Sequence, residues 1–182
     1  MSSFYRSKYR SIETTIGPSF WVTVGCVVAA VFAQTTLAPF ITFRGAVPSL
    51  VMIAVVLYAA RVDMRRAAII GLIGGALEDA LGGGNGSWII ATTLVAGSVG
   101  TFTRGFFSDG FVILGAVVTL AVLARDAIFW TLQRLEGYPH GLGTTHLHIA
   151  LWQSAITGLI TVVYLIVRSR FFADRTNVER YS

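Results

Sequence analysis

"GLIGGALEDALGGGNGSW", residues Gly71 to Trp88, sets two adjacent carboxylates, Glu78 and Asp79, in a run otherwise rich in glycine and aliphatic side chains. Read as a helix, Ala67, Gly71, Gly75 and Asp79 recur every four positions along one side, with Gly74 and Glu78 on the neighbouring stripe. Small residues at that spacing let a second backbone approach closely, which is how apolar helices gain contact in lipid. The glycine cluster Gly82, Gly83, Gly84 and Gly86 then ends the helix. A second small face follows, with Thr92, Ala96 and Gly100 on one side and Thr93, Gly97 and Thr101 beside it. Two small-faced helices joined by a short loop most simply make a tight hairpin.

The rest of the chain has the composition such a hairpin needs around it. Of 182 residues, 54% are hydrophobic and 13% charged, and the mean hydropathy is +0.70, too apolar for an ordinary soluble domain. The expectation is an all-α fold, a polytopic transmembrane bundle of six helices, with spans at about 18–39, 46–60, 66–81, 87–103, 110–132 and 148–168. Short tails, 1–17 and 169–182, flank it. The stretch following the basic N-terminus is too long for a signal-peptide core and lacks a small-residue cleavage site, so it is expected to stay as the first span. The second span is short for a bilayer, and its ends are expected to be helped by Arg61 snorkelling or by local thinning.

A net charge of +5 and a pI near 9.9 could suggest nucleic acid, but the cations fall between apolar segments rather than along a stripe or arm. They describe topology instead. With the N-terminus inside, eleven of the Lys and Arg residues flank the inner ends of the spans, against Arg44 and Arg134 outside, while Arg125 lies within a span. Both termini are therefore expected in the cytoplasm. The single cysteine, Cys26, leaves no internal disulfide or cysteine metal cluster to consider.

Counting helix rise places the charges in depth. Asp79 follows Arg66 by thirteen residues, roughly 20 Å at 1.5 Å each, and Arg125 follows Gly110 by fifteen, about 22 Å. The depths match. An outer-half polar cluster is expected, in which Arg125 pairs with Asp79 or Glu78 and Asp126, Gln34 and Gln153 lie nearby, because an unpaired charge there is costly. The residues leave other roles for the carboxylate pair open: a headgroup-level position near water, a contact with a partner subunit, or a small-molecule or proton site.

Enzyme chemistry finds little support. "LEDALGGG" lacks the glycine-X-glycine-aspartate arrangement of intramembrane aspartyl proteases. His140, His146 and His148 fall in or beside the last outer loop without a serine placed to use them, and "HLH" puts two histidines on different helix faces. "GGGNGS" is followed by no Lys with Ser or Thr and is not a phosphate loop. Tyr58, Trp88 and Trp130 read as interfacial aromatics, and Trp21 as a belt or lipid-facing residue. No enzyme activity, cofactor or metal is expected.

The order of these features resembles the rod shape-determining protein MreD family. "AQTTLAPF" (Ala33 to Phe40) closes the first span, Pro48 opens an aliphatic run ending in "LYAA" (Leu57 to Ala60), and a basic turn leads into the Gly71 to Trp88 segment. The resemblance covers about Phe32 to Gly100; beyond it, span count and tail orientation agree. It implies that the family's recurrent aspartate falls on Asp79. The family often carries an aspartate after the proline, where this chain has Ser49. The resemblance further implies a non-enzymatic component of the bacterial cytoplasmic membrane that binds MreC, a single-span protein with a coiled coil, in a complex with the MreB filament, the RodA glycosyltransferase and a class B penicillin-binding protein. Family members also resemble the six-helix substrate-binding subunits of energy-coupling-factor vitamin transporters. That alternative needs a pocket open to the outer side, for which Trp88, Asn85 and the histidine loop are available. A third class, a small secondary transporter or channel, would use Asp79 and Arg125 as a relay.

Overall fold

The computed structural model describes residues 19–37, 40–82, 84–103, 110–137 and 143–178, with side chains described as far as residue 170. It is all-α, with α1 (Phe20–Leu37), α2 (Leu50–Ala59), α3 (Met64–Gly82), α4 (Ser87–Phe102), α5 (Phe111–Leu135) and α6 (Gly143–Val178). Three of these, α1, α5 and the Gly143–Arg170 part of α6, are long and apolar enough to cross a membrane. Large apolar side chains cover the outside of the bundle: Trp21 is 77% exposed, Leu120 66% and Leu159 65%. That surface suits lipid rather than water. The N-terminal tail, 1–17, lies outside the described residues.

The shortest helix is the central one. α2 has ten residues, about 15 Å of rise, yet it touches all five other helices. Its two faces serve two cores. Met52, Val56 and Ala59 pack with Ala67, Val95, Val99, Val118, Ala121 and Val122, while Val51, Val55 and Tyr58 pack with Val27, Val31, Ile70 and Ala96. The outermost helix in packing terms is α1, which buries only Thr23, Val27 and Val31, a single stripe at i, i+4 and i+8.

The second span begins later as a helix than the expected residue 46. Pro48 has no N–H and disfavours helical geometry at Val47, and Ser49 is the N-cap, its side chain accepting from Met52 N at 3.4 Å. The preceding chain makes a turn closed by paired hydrogen bonds between Phe43 and Ala46, both 2.9 Å, with Arg44 at φ 52° and Gly45 at φ 81°. Backbone N–H groups left unpaired at a helix start need acceptors elsewhere in the protein when they are buried. Here Ser49 N donates to Thr157 Oγ1 at 3.0 Å and Val51 N to Gln34 Oε1 at 3.4 Å.

Three other helix ends differ from the expected span ends. α5 continues to Leu135 and stops at Gly137, whose φ of +89° suits a left-handed helix end, with Gly137 N donating to Arg134 O and Glu136 N to Leu132 O. α6 starts at Gly143 and runs past residue 168 to Val178, since no glycine or proline interrupts the chain between Leu159 and Val178.

The hairpin of α3 and α4 is the most extensively packed pair. A side chain on Gly71 would put its Cβ 2.6 Å from Ala96 Cβ and 2.7 Å from Thr92 O; one on Gly75 would meet Trp88 O at 2.6 Å and Ile89 Cα at 2.7 Å. The backbones cross at a separation only glycine permits. A second close crossing joins α5 to α6, where the Gly158 position faces Gly115 O at 3.1 Å and the Gly115 position faces Gly158 O at 3.3 Å.

Candidate functional site

Arg125 lies in the middle of α5 and is 1% exposed, the largest of the fully buried side chains. A guanidinium in such a place needs acceptors in several directions. Nη1 donates to both oxygens of Glu78, at 3.2 and 3.3 Å, and to Ser49 Oγ at 3.1 Å. Nε and Nη2 donate to Asp126 Oδ1 at 3.2 and 3.1 Å. One side chain thus ties α5 to α3 and to the start of α2. The network widens through Gln34, whose Nε2 donates to Glu78 Oε1 at 3.4 Å while its Oε1 accepts from Val51 N. On the far side, Thr157 Oγ1 accepts from Ser49 N and donates to Gln153 O at 2.6 Å, bringing in α6.

An aromatic wall closes this cluster. The Arg125 guanidinium carbon sits 4.6 Å from the centroid of Trp88, and the Trp88 ring stacks on Phe129 at 3.9 Å and 13°. Arg125 and Phe129 are one helical turn apart, so the same face of α5 presents both to the indole. The stack continues from Phe129 to His146 (6.2 Å) and from His146 to Trp130 (4.8 Å, 16°), with the Arg134 guanidinium 5.3 Å from the Trp130 centroid. Trp88, expected as an interfacial aromatic, is a half-buried packing residue. Tyr58 is likewise buried in the core, whereas Trp21 faces outward.

Asp79 takes a different partner from Glu78. Its Oδ2 accepts from Ile89 N at 2.9 Å, in the first turn of α4. The N-cap of α4 is Gly86, at φ +93°, which has no side chain to cap with, and Asp79 reaches across the hairpin to do so. The charge faces the positive end of the helix dipole. Asp79 Oδ1 packs against Gly84, where any Cβ would collide with it, and Gly84 N donates to Asp79 O at 3.0 Å, the long bond of a Schellman-type helix end. Adjacent positions on α3 are therefore divided, Glu78 to the ion cluster and Asp79 to the helix start.

The expected cluster of Arg125, Glu78, Asp126 and Gln34 is one connected network, and the choice between Glu78 and Asp79 as ion partner falls to Glu78. Gln153 reaches it through its backbone carbonyl. Pro48 is buried and directs Ser49 into the network. Gly71 and Gly75 lie at the α3–α4 crossing, Gly75 against Ile89, whose N–H Asp79 accepts. Gly83 and His140 lie outside the described residues. Sequence reasoning missed Ser49, Thr157 and the Gly115–Gly158 crossing; a serine after proline at the start of an apolar run was a capping signal for the first.

Of the groups that a binding pocket would use, Asn85 and His148 are hydrogen-bonded, whereas His146 Nε2 is buried with no partner among the described residues. Asn85 Nδ2 donates to Glu136 and its Oδ1 accepts from Ser87 Oγ at 2.9 Å; His148 Nε2 accepts from Trp152 Nε1 at 3.1 Å. Chemically, the arrangement is an electrostatic lock between helices with one guanidinium set against two carboxylates. Comparison with protein-family models, curated proteins and solved structures gives no match for this chain.

Proposed function

We propose that the protein is a non-enzymatic, six-span component of a bacterial cytoplasmic-membrane complex for cell elongation, of the MreD kind, with both termini in the cytoplasm. In this reading it binds an MreC-like single-span protein and, through it, an assembly with MreB, RodA and a class B penicillin-binding protein that directs lateral peptidoglycan synthesis.

The observation that supports this reading is where the resembling residues lie. Pro48 to Ala60 and Gly71 to Trp88 supply the central helix and the tight hairpin, and their carboxylates contact Arg125 and the start of α4. Those carboxylates hold helices in place, which suits a rigid membrane platform. Depletion in the bacterial host tests the reading. Rounded, wider cells restored to rods by the wild-type gene are expected. Unchanged cell width with loss of vitamin uptake would overturn it in favour of a transporter binding subunit.

A further inference from the structure

α1 and α6 both flank α2 without packing closely on each other, and the gap between them is a cleft of about 340 Å³. That volume falls in the range of roughly 300–1,000 Å³ typical of small-molecule sites. Its floor is one face of α2, Leu50, Ile53, Ala54, Leu57 and Tyr58, at helical spacing, with Arg61 in the turn just past its end. The walls come from Val22 and Cys26 of α1 and from Ile160, Tyr164 and Arg168 of α6. The lining is graded along its length. Aliphatic side chains occupy the end near Leu50, and two arginines with two tyrosines gather at the other, where α2 ends beside the first turn of α1.

The geometry points to this cleft as a binding site for an anionic phospholipid, with an acyl chain over Ile53, Ala54 and Ile160 and the phosphate at Arg61 and Arg168. An apolar slot on a lipid-facing surface stays dry and takes hydrocarbon. Cations at one end select the headgroup, and arginine offers paired donors to phosphate oxygens. Tyr164, exposed, with an apolar ring and a polar tip, suits the boundary between chain and headgroup. The site lies apart from the Arg125 network and does not depend on the proposed partner.

Native mass spectrometry of the delipidated full-length protein in detergent, titrated with phosphatidylglycerol and with phosphatidylcholine, tests the assignment. A preference for phosphatidylglycerol of about thirtyfold is expected from two basic residues at the headgroup. Arg61→Gln with Arg168→Gln should bring the two lipids to within about twofold of each other. Arg65→Gln, on the same basic turn but outside the cleft, should retain the preference. Cys26→Phe, which fills the cleft from an exposed position, should lose bound phosphatidylglycerol. Equal binding of the two lipids by the wild type, an unchanged preference in the double variant, a loss of preference in Arg65→Gln, or wild-type affinity in Cys26→Phe would each overturn it.

Discussion

Arg125 Nη1 stands 3.2 Å from Glu78 Oε1, joining the middle of α5 to the C-terminal half of α3, and the two side chains are 1% and 9% exposed. Removing one member of a buried ion pair leaves the other charged and unsolvated, at a cost of about 3–5 kcal/mol. Arg125→Met should therefore destabilise the fold by that order in reversible unfolding from mixed micelles. A double-mutant cycle between Arg125→Met and Glu78→Gln should give a coupling of about 1–3 kcal/mol. The same cycle with Asp79→Asn should give a smaller coupling, because Asp79 is bonded to Ile89 N instead.

Ser49 and Glu78 share the same guanidinium nitrogen. A carboxylate placed at residue 49 can therefore replace the one at residue 78. Ser49→Asp alone adds a third carboxylate around Arg125 and should lower the thermal midpoint. Combined with Glu78→Gln it should recover most of the stability lost in Glu78→Gln alone. Absence of that recovery in the melting of the double variant would show that the two positions are not equivalent around Arg125.

Asp79 caps α4 across the hairpin. Asp79→Ala should cost about 1–3 kcal/mol, since it leaves the part-buried Ile89 N–H without its acceptor. Asp79→Asn retains an acceptor oxygen and should cost less. Hydrogen exchange reads this directly: the Ile89 amide should exchange much faster in Asp79→Ala, while amides of α5 change little.

The α3–α4 crossing depends on two missing side chains. Gly71→Ala and Gly75→Ala each drive a Cβ to about 2.6 Å from atoms of α4 and should destabilise by about 1–3 kcal/mol. Gly25→Ala in α1 meets nothing within 4 Å and should be neutral or slightly stabilising in the same unfolding measurement.

What the sequence makes legible here is local periodicity and depth. The four-residue recurrence of Gly71 and Gly75 identifies a close-packing face without knowledge of its partner, and counting 1.5 Å per residue places Arg125 level with Glu78 and Asp79. Which carboxylate Arg125 takes depends on how α3 is rotated in the bundle, and adjacent helix positions 100° apart cannot be separated by depth. Ser49 was hidden for a related reason, since its contact with Arg125 exists only because α2 starts after Pro48 and stands at the centre. The short apolar run of α2 reads equally well as a thin span or as a buried helix. Trp88 looks like any interfacial tryptophan until Arg125 and Phe129 are known to share the face of α5 beneath it.

Capture from native membranes addresses the functional claim most directly. Affinity purification of the tagged full-length protein in mild detergent, with its stable companions identified by mass spectrometry, should recover a single-span protein with a coiled-coil outer domain, in near-stoichiometric amount. Recovery of paired ATPase subunits together with a bound vitamin, and no such single-span protein, would contradict the account.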